Sequence, residues 1–294
     1  MDRPPGRIRL RTECQVRTTV VQMAPGSSLP DNIAQASDLI AAAVAADRPD
    51  LVVLPEIWSC LGGTAEVKFA NAEELPNPGA TAGAGPLYRF LSETARTHGI
   101  TLHGGSIGQR HGDRLLNTSL VFGPDGVERA RYSKIHLFDI TTPGGEGYRE
   151  SDTYAPGSEI VTVPVGAFTA GLAICYDLRF AELFLALRRR GANVIVLPAA
   201  FTAETGEAHW ATLLRARAIE TQCWVVACGT TGTHTDAGGH ARRTYGHSMI
   251  IDPWGTIVAQ ASNGTGWATA ALSLDKVEHV RAGMPVLAHR RLNT

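Results

Sequence analysis

The sequence predicts an α/β protein built as a four-layer α-β-β-α sandwich with a weak internal two-fold repeat. Three observations lead there. A helix-like run followed by a buried strand occurs twice, and both strands end in Leu-Pro, at Leu54–Pro55 and Leu197–Pro198. Each is followed by two strand-like runs around a tight turn, Gly-Pro-Asp-Gly at residues 123–126 and Asp-Pro-Trp-Gly at residues 252–255. The two hairpins also correspond position by position: Ser119 with Ser248, Pro124 with Pro253 and Gly126 with Gly255. Two such halves can face their sheets together and carry their helices outside.

The elements follow in chain order. Residues 1–17, MDRPPGRIRLRTECQVR, are arginine-rich with no apolar run behind them. They are not a secretory signal and are expected to form a disordered tail. DNIAQASDLIAAAVAADRPDLVVLPEIW reads as a helix, with Asp31 able to cap it, then the strand LVVLP after the boundary at Pro49. NPGATAGAG before Tyr88 is expected to be a surface loop. TAGLAI before Cys175 is strand-like, and Phe180, Leu183, Phe184 and Leu187 recur at helical spacing behind it. Gly191 stops that helix, and VIVLP follows as the second buried strand. No linker-like stretch divides the halves, so residues 18–275 are expected to be one domain. From Lys276 onward the chain is basic and ends in HRR. Residues 276–294 are expected to be an arm that packs on a partner subunit.

Bulk properties exclude several function classes. The 294 residues carry a formal net charge of −1 and no basic stripe, which argues against nucleic acid. No apolar run approaches the roughly 20 residues that span a membrane. The five cysteines, Cys14, Cys60, Cys175, Cys223 and Cys228, show no paired spacing, which fits a reduced, cytosolic protein. No close His/Cys pair suggests zinc. His98, His103, His234, His240 and His247 are read as loop or surface residues.

Cys175 is the most informative position, because it lies where a strand passes into a helix. A side chain there can be exposed at the carboxyl end of a sheet, with helix N–H groups nearby, and both features favour a thiolate nucleophile. The ordinary alternative is a small core residue. Three more residues fit a thiol amidase. Glu56 ends the first buried strand, Lys134 lies in RYSKIHLFD just after the first hairpin, and Glu150 lies in YRESDTYAPG. Singly, they could be a solvated carboxylate, a snorkelling lysine and a loop acid. Together they supply what the chemistry demands. A thiol with pKa near 8.5 needs a base and a cationic neighbour. The tetrahedral oxyanion needs donors. The departing amine needs a proton, which one carboxyl group can take and return.

With these residues in view, the chain resembles the nitrilase superfamily of carbon–nitrogen hydrolases. The matching motifs are LVVLPE with Glu56, YSKIHLFD with Lys134, RES with Glu150 and AICYDLRF with Cys175, in the expected order, and the resemblance spans about Thr18 to Arg291. It implies the α-β-β-α sandwich, Glu-Lys-Cys catalysis without a cofactor or metal, and a homodimer or larger assembly. It also implies Glu150 as a fourth catalytic residue, the backbone N–H of Tyr176 as an oxyanion donor, and Arg179 and Thr205 near a substrate carboxylate. FTAETGEAHWATLLRARAIETQC, TYGHSMIIDPWG and MPVLAHRR further resemble the Nit-type amidase branch, especially its deaminated-glutathione amidases. These cleave a short 2-oxo-acid amide to 2-oxoglutarate and Cys-Gly. Glu204 and Glu207 depart from the branch by placing negative charge close to the expected substrate loop. Within the superfamily, a carbamoylase, a nitrilase or a 2-oxoglutaramate amidase are the alternatives. Further away stand a Cys-His peptidase using His136 or His209, and a non-catalytic binding protein on the same fold.

Overall fold

Alternation along the first strands decides which side of each sheet faces which layer. The computed structural model describes residues 14–77, 83–142, 144–145, 147–235, 239 and 241–292. Its first half runs β1 (Gln15–Gln22), α1 (Leu29–Asp47), β2 (Leu51–Val53), α2 (Ala65–Ala70), α3 (Pro86–His98), β3 (Thr101–His103), β4 (Ile107–His111), β5 (Arg114–Phe122) and β6 (Glu128–Ser133). A ribbon, β7 (Asp139–Thr141) and β8 (Gly147–Arg149), leads to the second half. That half runs β9 (Thr162–Val165), β10 (Phe168–Leu172), α4 (Ala181–Arg189), β11 (Val194–Ala199), α5 (Ala203–Thr221) and β12 (Trp224–Gly229). The ribbon β13 (Thr231–Thr235) and β14 (Ala241–Tyr245) follows, then β15 (Met249–Ile251), β16 (Ile257–Gln260), β17 (Gly266–Ser273), α6 (Leu274–Gly283) and α7 (Val286–His289).

The repeat read from the sequence is visible in the pairing. One sheet has the order β17-β1-β2-β3-β5-β4 with β6 also on β5, and the other β16-β15-β12-β11-β10-β9. In the first, β1, β2 and β3 are parallel and β5 antiparallel to β3. In the second, β10, β11 and β12 are parallel and β15 antiparallel to β12. The hairpins β5–β6 and β15–β16 occupy equivalent places. Val20, Val53 and Val121 join the core shared with the second sheet. Their neighbours Val21, Val52 and Phe122 turn outward against Ile40 of α1 and Leu87 and Leu91 of α3. Cys228 of β12 lies 3.1 Å from the Val21 carbonyl and 3.2 Å from that of Val53, so the sheets meet closely. Helices α4 and α5 cover the other side of the second sheet through Phe184, Leu187, Trp210 and Leu214. Burying side chains of this size stabilises by about 1.5–3 kcal/mol each.

Several local expectations need correction. Asp31 is not the cap of α1: Ser28 is the N-cap, Pro30 follows in the first turn, and Asp31 complements the dipole from inside that turn. Gln15, Val16 and Arg17, assigned to a disordered tail, belong to β1 and pair with Ser273, Leu272 and Ala271. Residues 1–13 of that tail lie outside the described residues, as do most of the loop 77–85 and His240. The start of the expected C-terminal arm is helix α6, docked on its own chain. Val277 and Val280 are buried, Arg281 donates to the Gln222 and Ala192 carbonyls, and Lys276 pairs with Asp252.

Two histidines expected at the surface are interior. His234 of β13 is buried and hydrogen-bonds to the Pro25 carbonyl and Thr244. His103 of β3 sits beside Val53 and Val121 in register, is 1% exposed, and neither ring nitrogen has a partner. Burial pushes its pKa down to about 4. A neutral folded-state histidine leaves the proton to the unfolded chain, whose histidine titrates near 6.5. Stability contributed by His103 is therefore complete above about pH 6.5 and lost as pH falls toward 4, by up to roughly 3 kcal/mol. His103→Leu should flatten the acid limb of a denaturation-midpoint against pH curve between these values. An unchanged limb refutes the assignment.

Candidate active site

The carboxyl ends of β2 and β11 meet across the sandwich, and the chemistry collects there. After β2, Leu54 donates to the His103 carbonyl, which carries Pro55 and Glu56 to the strand end. The turn behind β3 then locks this segment. Ser106 N–H donates to the Pro55 carbonyl, and the Ser106 hydroxyl accepts the Ile57 N–H at 3.0 Å. Gly105 makes this close approach possible: its φ is +62°, and a Cβ there would run into the Pro55 carbonyl oxygen.

Glu56 is 4% exposed, and every partner it has is a donor. Its Oε1 accepts from Lys134 Nζ at 3.0 Å and Asn117 Nδ2 at 2.9 Å. Its Oε2 accepts the Ala200 N–H at 2.7 Å, from the end of the second half's strand. Lys134, 1% exposed, does not snorkel. It leaves β6 with its N–H on the Asn117 carbonyl and extends its ammonium between two carboxylates. Glu150 receives Lys134 Nζ on both oxygens, at 3.0 and 2.8 Å, and its Oε2 also accepts the Phe138 N–H at 2.6 Å. Burial opposes the charge on Lys134, but Glu150 and Glu56 outweigh it and hold the ammonium's pKa well above the ordinary lysine value.

Cys175 opens a single 3-10 turn, Cys175–Arg179, directly behind β10. Its φ of 46° is left-handed, which is costly for a residue with a Cβ and is held by its surroundings. Asp177, fully buried, supplies the hold. Its carboxylate accepts the Ile174 N–H at 2.9 Å, the Tyr132 hydroxyl at 2.7 Å and the His136 N–H at 3.1 Å. Tyr132 and His136 flank Lys134 in the chain, so one carboxylate ties the cysteine turn to the lysine segment. Cys175 lies against the Glu56 carboxylate and the Ala200 N–H. Burial and the Glu56 charge push its thiol pKa well up, while Lys134 and the Ala200 N–H pull against them.

Glu56, Lys134, Glu150, Cys175, Tyr176 and Thr205 all line one cavity of about 290 Å³. Thr205 sits in the first turn of α5, where its N–H donates to the capping Thr202 hydroxyl at 3.3 Å. Arg179 is not brought there. Its guanidinium reaches His209 Nδ1 at 3.3 Å and lies over the Tyr176 and Phe201 rings. Glu204 and Glu207 are exposed and line no part of the cavity; Glu204 stands in the first turn of α5 next to Thr205. His136, engaged by Asp177 and stacked on Phe180, and His209 also stay outside, so neither faces Cys175 from the cavity wall.

Sequence reasoning missed Asn117, the Ala200 N–H and Asp177. Asp177 stood inside the motif AICYDLRF, and Asn117 lies two residues before Ser119 of the first hairpin, but nothing local marked their side chains as a buried acceptor and a buried donor. Among the described residues no group of three His, Cys, Asp or Glu side chains is placed to hold a metal ion, and no helix is long and apolar enough to cross a membrane.

Comparisons with known proteins converge on one family. The carbon–nitrogen hydrolase family model matches residues 17–282. A deaminated glutathione amidase of Synechocystis sp. is 41% identical over 275 residues, covering 92% of this chain and 96% of its own. The omega-amidase NIT2 of Danio rerio is 36% identical over 275 residues, covering 94% of each. The crystal structure of Saccharomyces cerevisiae Nit3, a member of branch 10 of the nitrilase superfamily, superposes with a TM-score of 0.82 at 31% identity, covering 95% of this chain and 97% of that one.

Proposed function

The chain belongs to the carbon–nitrogen hydrolase family, and from that premise we propose that Cys175, Glu56 and Lys134 hydrolyse a short 2-oxo-acid amide, deaminated glutathione first among them. The observation that carries the reading is the closed circuit of Glu56, Lys134 and Glu150 against Cys175 in a single cavity. As a nitrilase-superfamily amidase the protein acts on carbon–nitrogen bonds other than peptide bonds.

The elevated thiol pKa makes the resting nucleophile a thiol, so proton removal accompanies attack. Glu56 takes the proton from Cys175 Sγ as the sulfur bonds to the amide carbon. The electron pair of the carbonyl moves onto oxygen, where Lys134 and the Tyr176 N–H stabilise it. Glu56 gives its proton to the amide nitrogen, the C–N bond breaks, and the amine departs from a thioester. Water then attacks the thioester carbon, Glu56 accepts a water proton, the C–S bond breaks, and Glu56 returns the proton to sulfur. Glu150 and Asn117 touch both sides of the Glu56–Lys134 pair and fix its geometry.

The cavity's charge supports an anionic substrate. Among the described residues its lining holds four cationic side chains, Lys68, Lys134, Arg149 and Arg242, against two carboxylates, Glu56 and Glu150. The second reading, 2-oxoglutaramate amidase, is favoured by the omega-amidase relative. Release of amine, ammonia and 2-oxo acid over a panel of amides, nitriles and carbamoyl amino acids tests both. Deaminated glutathione should be turned over best, and glutathione poorly because an ammonium replaces its 2-oxo group. A faster rate on a neutral nitrile or a carbamoyl compound overturns the substrate assignment.

We extend the reading to a homodimer or larger even assembly. Ile219, Trp254 and Met284 are 50%, 59% and 46% exposed. Ile219 sits beside Gly255 and Met284 shares a groove with Trp254, forming one apolar face. Sedimentation at micromolar concentration should give an even assembly, and a monodisperse monomer contradicts it.

A further inference from the structure

Among the described residues, Arg242 lines the cavity as a cation with no carboxylate paired to it. It stands on β14, and that strand is tethered to the segment following β11: Tyr245 N–H donates to the Phe201 carbonyl at 2.9 Å, and Thr202 bridges to Thr244. The tether brings the guanidinium to Ala200 on the cavity wall. Arg242 Nη2 donates to the Ala200 carbonyl at 3.0 Å, and the N–H of this same residue meets Glu56 and Cys175. The guanidinium lies over the Tyr148 ring, 5.0 Å from its centroid, and Arg242 and Tyr148 both line the cavity. Its Nε is buried without a hydrogen-bond partner. The two carboxylates of the cavity lining are both taken by Lys134. A buried guanidinium N–H without an acceptor is costly, and Arg presents Nε and Nη as a planar fork that matches a carboxylate.

We propose that Arg242 is the specificity residue that receives a carboxylate of the substrate on its guanidinium, so that the site selects carboxylate-bearing amides. The inference rests on the amidase reading for its setting, but its test does not depend on turnover. It assigns the role that sequence resemblance gave to Arg179, whose guanidinium the fold directs to His209. The Tyr148 ring beneath the guanidinium helps to hold it in place.

The carboxylate can belong to the acyl half or to the departing amine, and binding of the two product halves separates them. Calorimetric titration with 2-oxoglutarate, with cysteinylglycine and with the C-terminal amide of cysteinylglycine should be run on wild type, Arg242→Ala and Arg242→Lys. A loss of about 30-fold or more in 2-oxoglutarate affinity in Arg242→Ala places the fork on the acyl half. The same loss for cysteinylglycine, with its amide already weak on wild type and unchanged by the substitution, places it on the amine half. Arg242→Lys should recover only part of either loss, since an ammonium has no fork. Circular dichroism and the thermal midpoint should match wild type and show that the variants fold. Equal affinities in wild type and Arg242→Ala, or no binding of either carboxylate to wild type, overturns the proposal. Failure to hydrolyse any amide would instead sink the amidase mechanism and leave these binding results standing.

Discussion

Cys175→Ala should abolish turnover and leave the fold intact. The side chain is 7% exposed and loses one sulfur, and alanine keeps the Cβ, so the left-handed backbone at this position is no more strained than before. The stability cost should stay within about 1.5 kcal/mol. The contacts that hold the turn belong to Asp177 with Ile174, Tyr132 and His136, and none involves the sulfur. Intact-mass measurement of the wild type during turnover should show an acyl adduct, which peptide mapping should place on Cys175. Full activity in Cys175→Ala, or an adduct on Cys60, the other thiol lining the cavity, sinks the mechanism.

Glu56→Gln should lower the rate by roughly three to four orders of magnitude, because one group serves as base and then as acid. It should also destabilise, which the chemistry alone does not predict. Lys134, Asn117 and the Ala200 N–H are all donors aimed at Glu56. A glutamine must turn its amide nitrogen toward one of them, leaving donor against donor at a cost of about 1–3 kcal/mol. Lys134→Met is the contrasting change. It strands Glu56 and Glu150 together without their shared cation, and removing one partner of a buried pair costs about 3–5 kcal/mol. The thermal midpoint should therefore fall further for Lys134→Met than for Glu56→Gln. Because the two act together on one transition state, the double variant should lose little more activity than either single one. Multiplicative losses would mean independent roles.

The sequence by itself determined the architecture and the order of the reacting groups. Two Leu-Pro strand ends and two matched hairpins are short-range patterns, set by strand alternation, turn chemistry and helical spacing, and they reappear in the two sheets with equivalent pairing. Glu56 and Cys175 were legible because each directly follows a strand. The tertiary structure decided which side chains complete the site. Ala200 meets Glu56 across 144 residues of chain, and Asn117 reaches Glu56 across 61. The first is set by the packing of one sheet on the other, and the second by the order of strands within the first sheet. The same holds for the reversals. His103 is interior because its strand register turns it toward Val53 and Val121, Arg179 leaves the cavity for His209, and Arg242 enters it because β14 is stitched to Phe201 and Thr202. Local periodicity fixes which face of an element a residue occupies, but the direction of a long polar side chain and the partner it meets depend on what a distant segment places beside it.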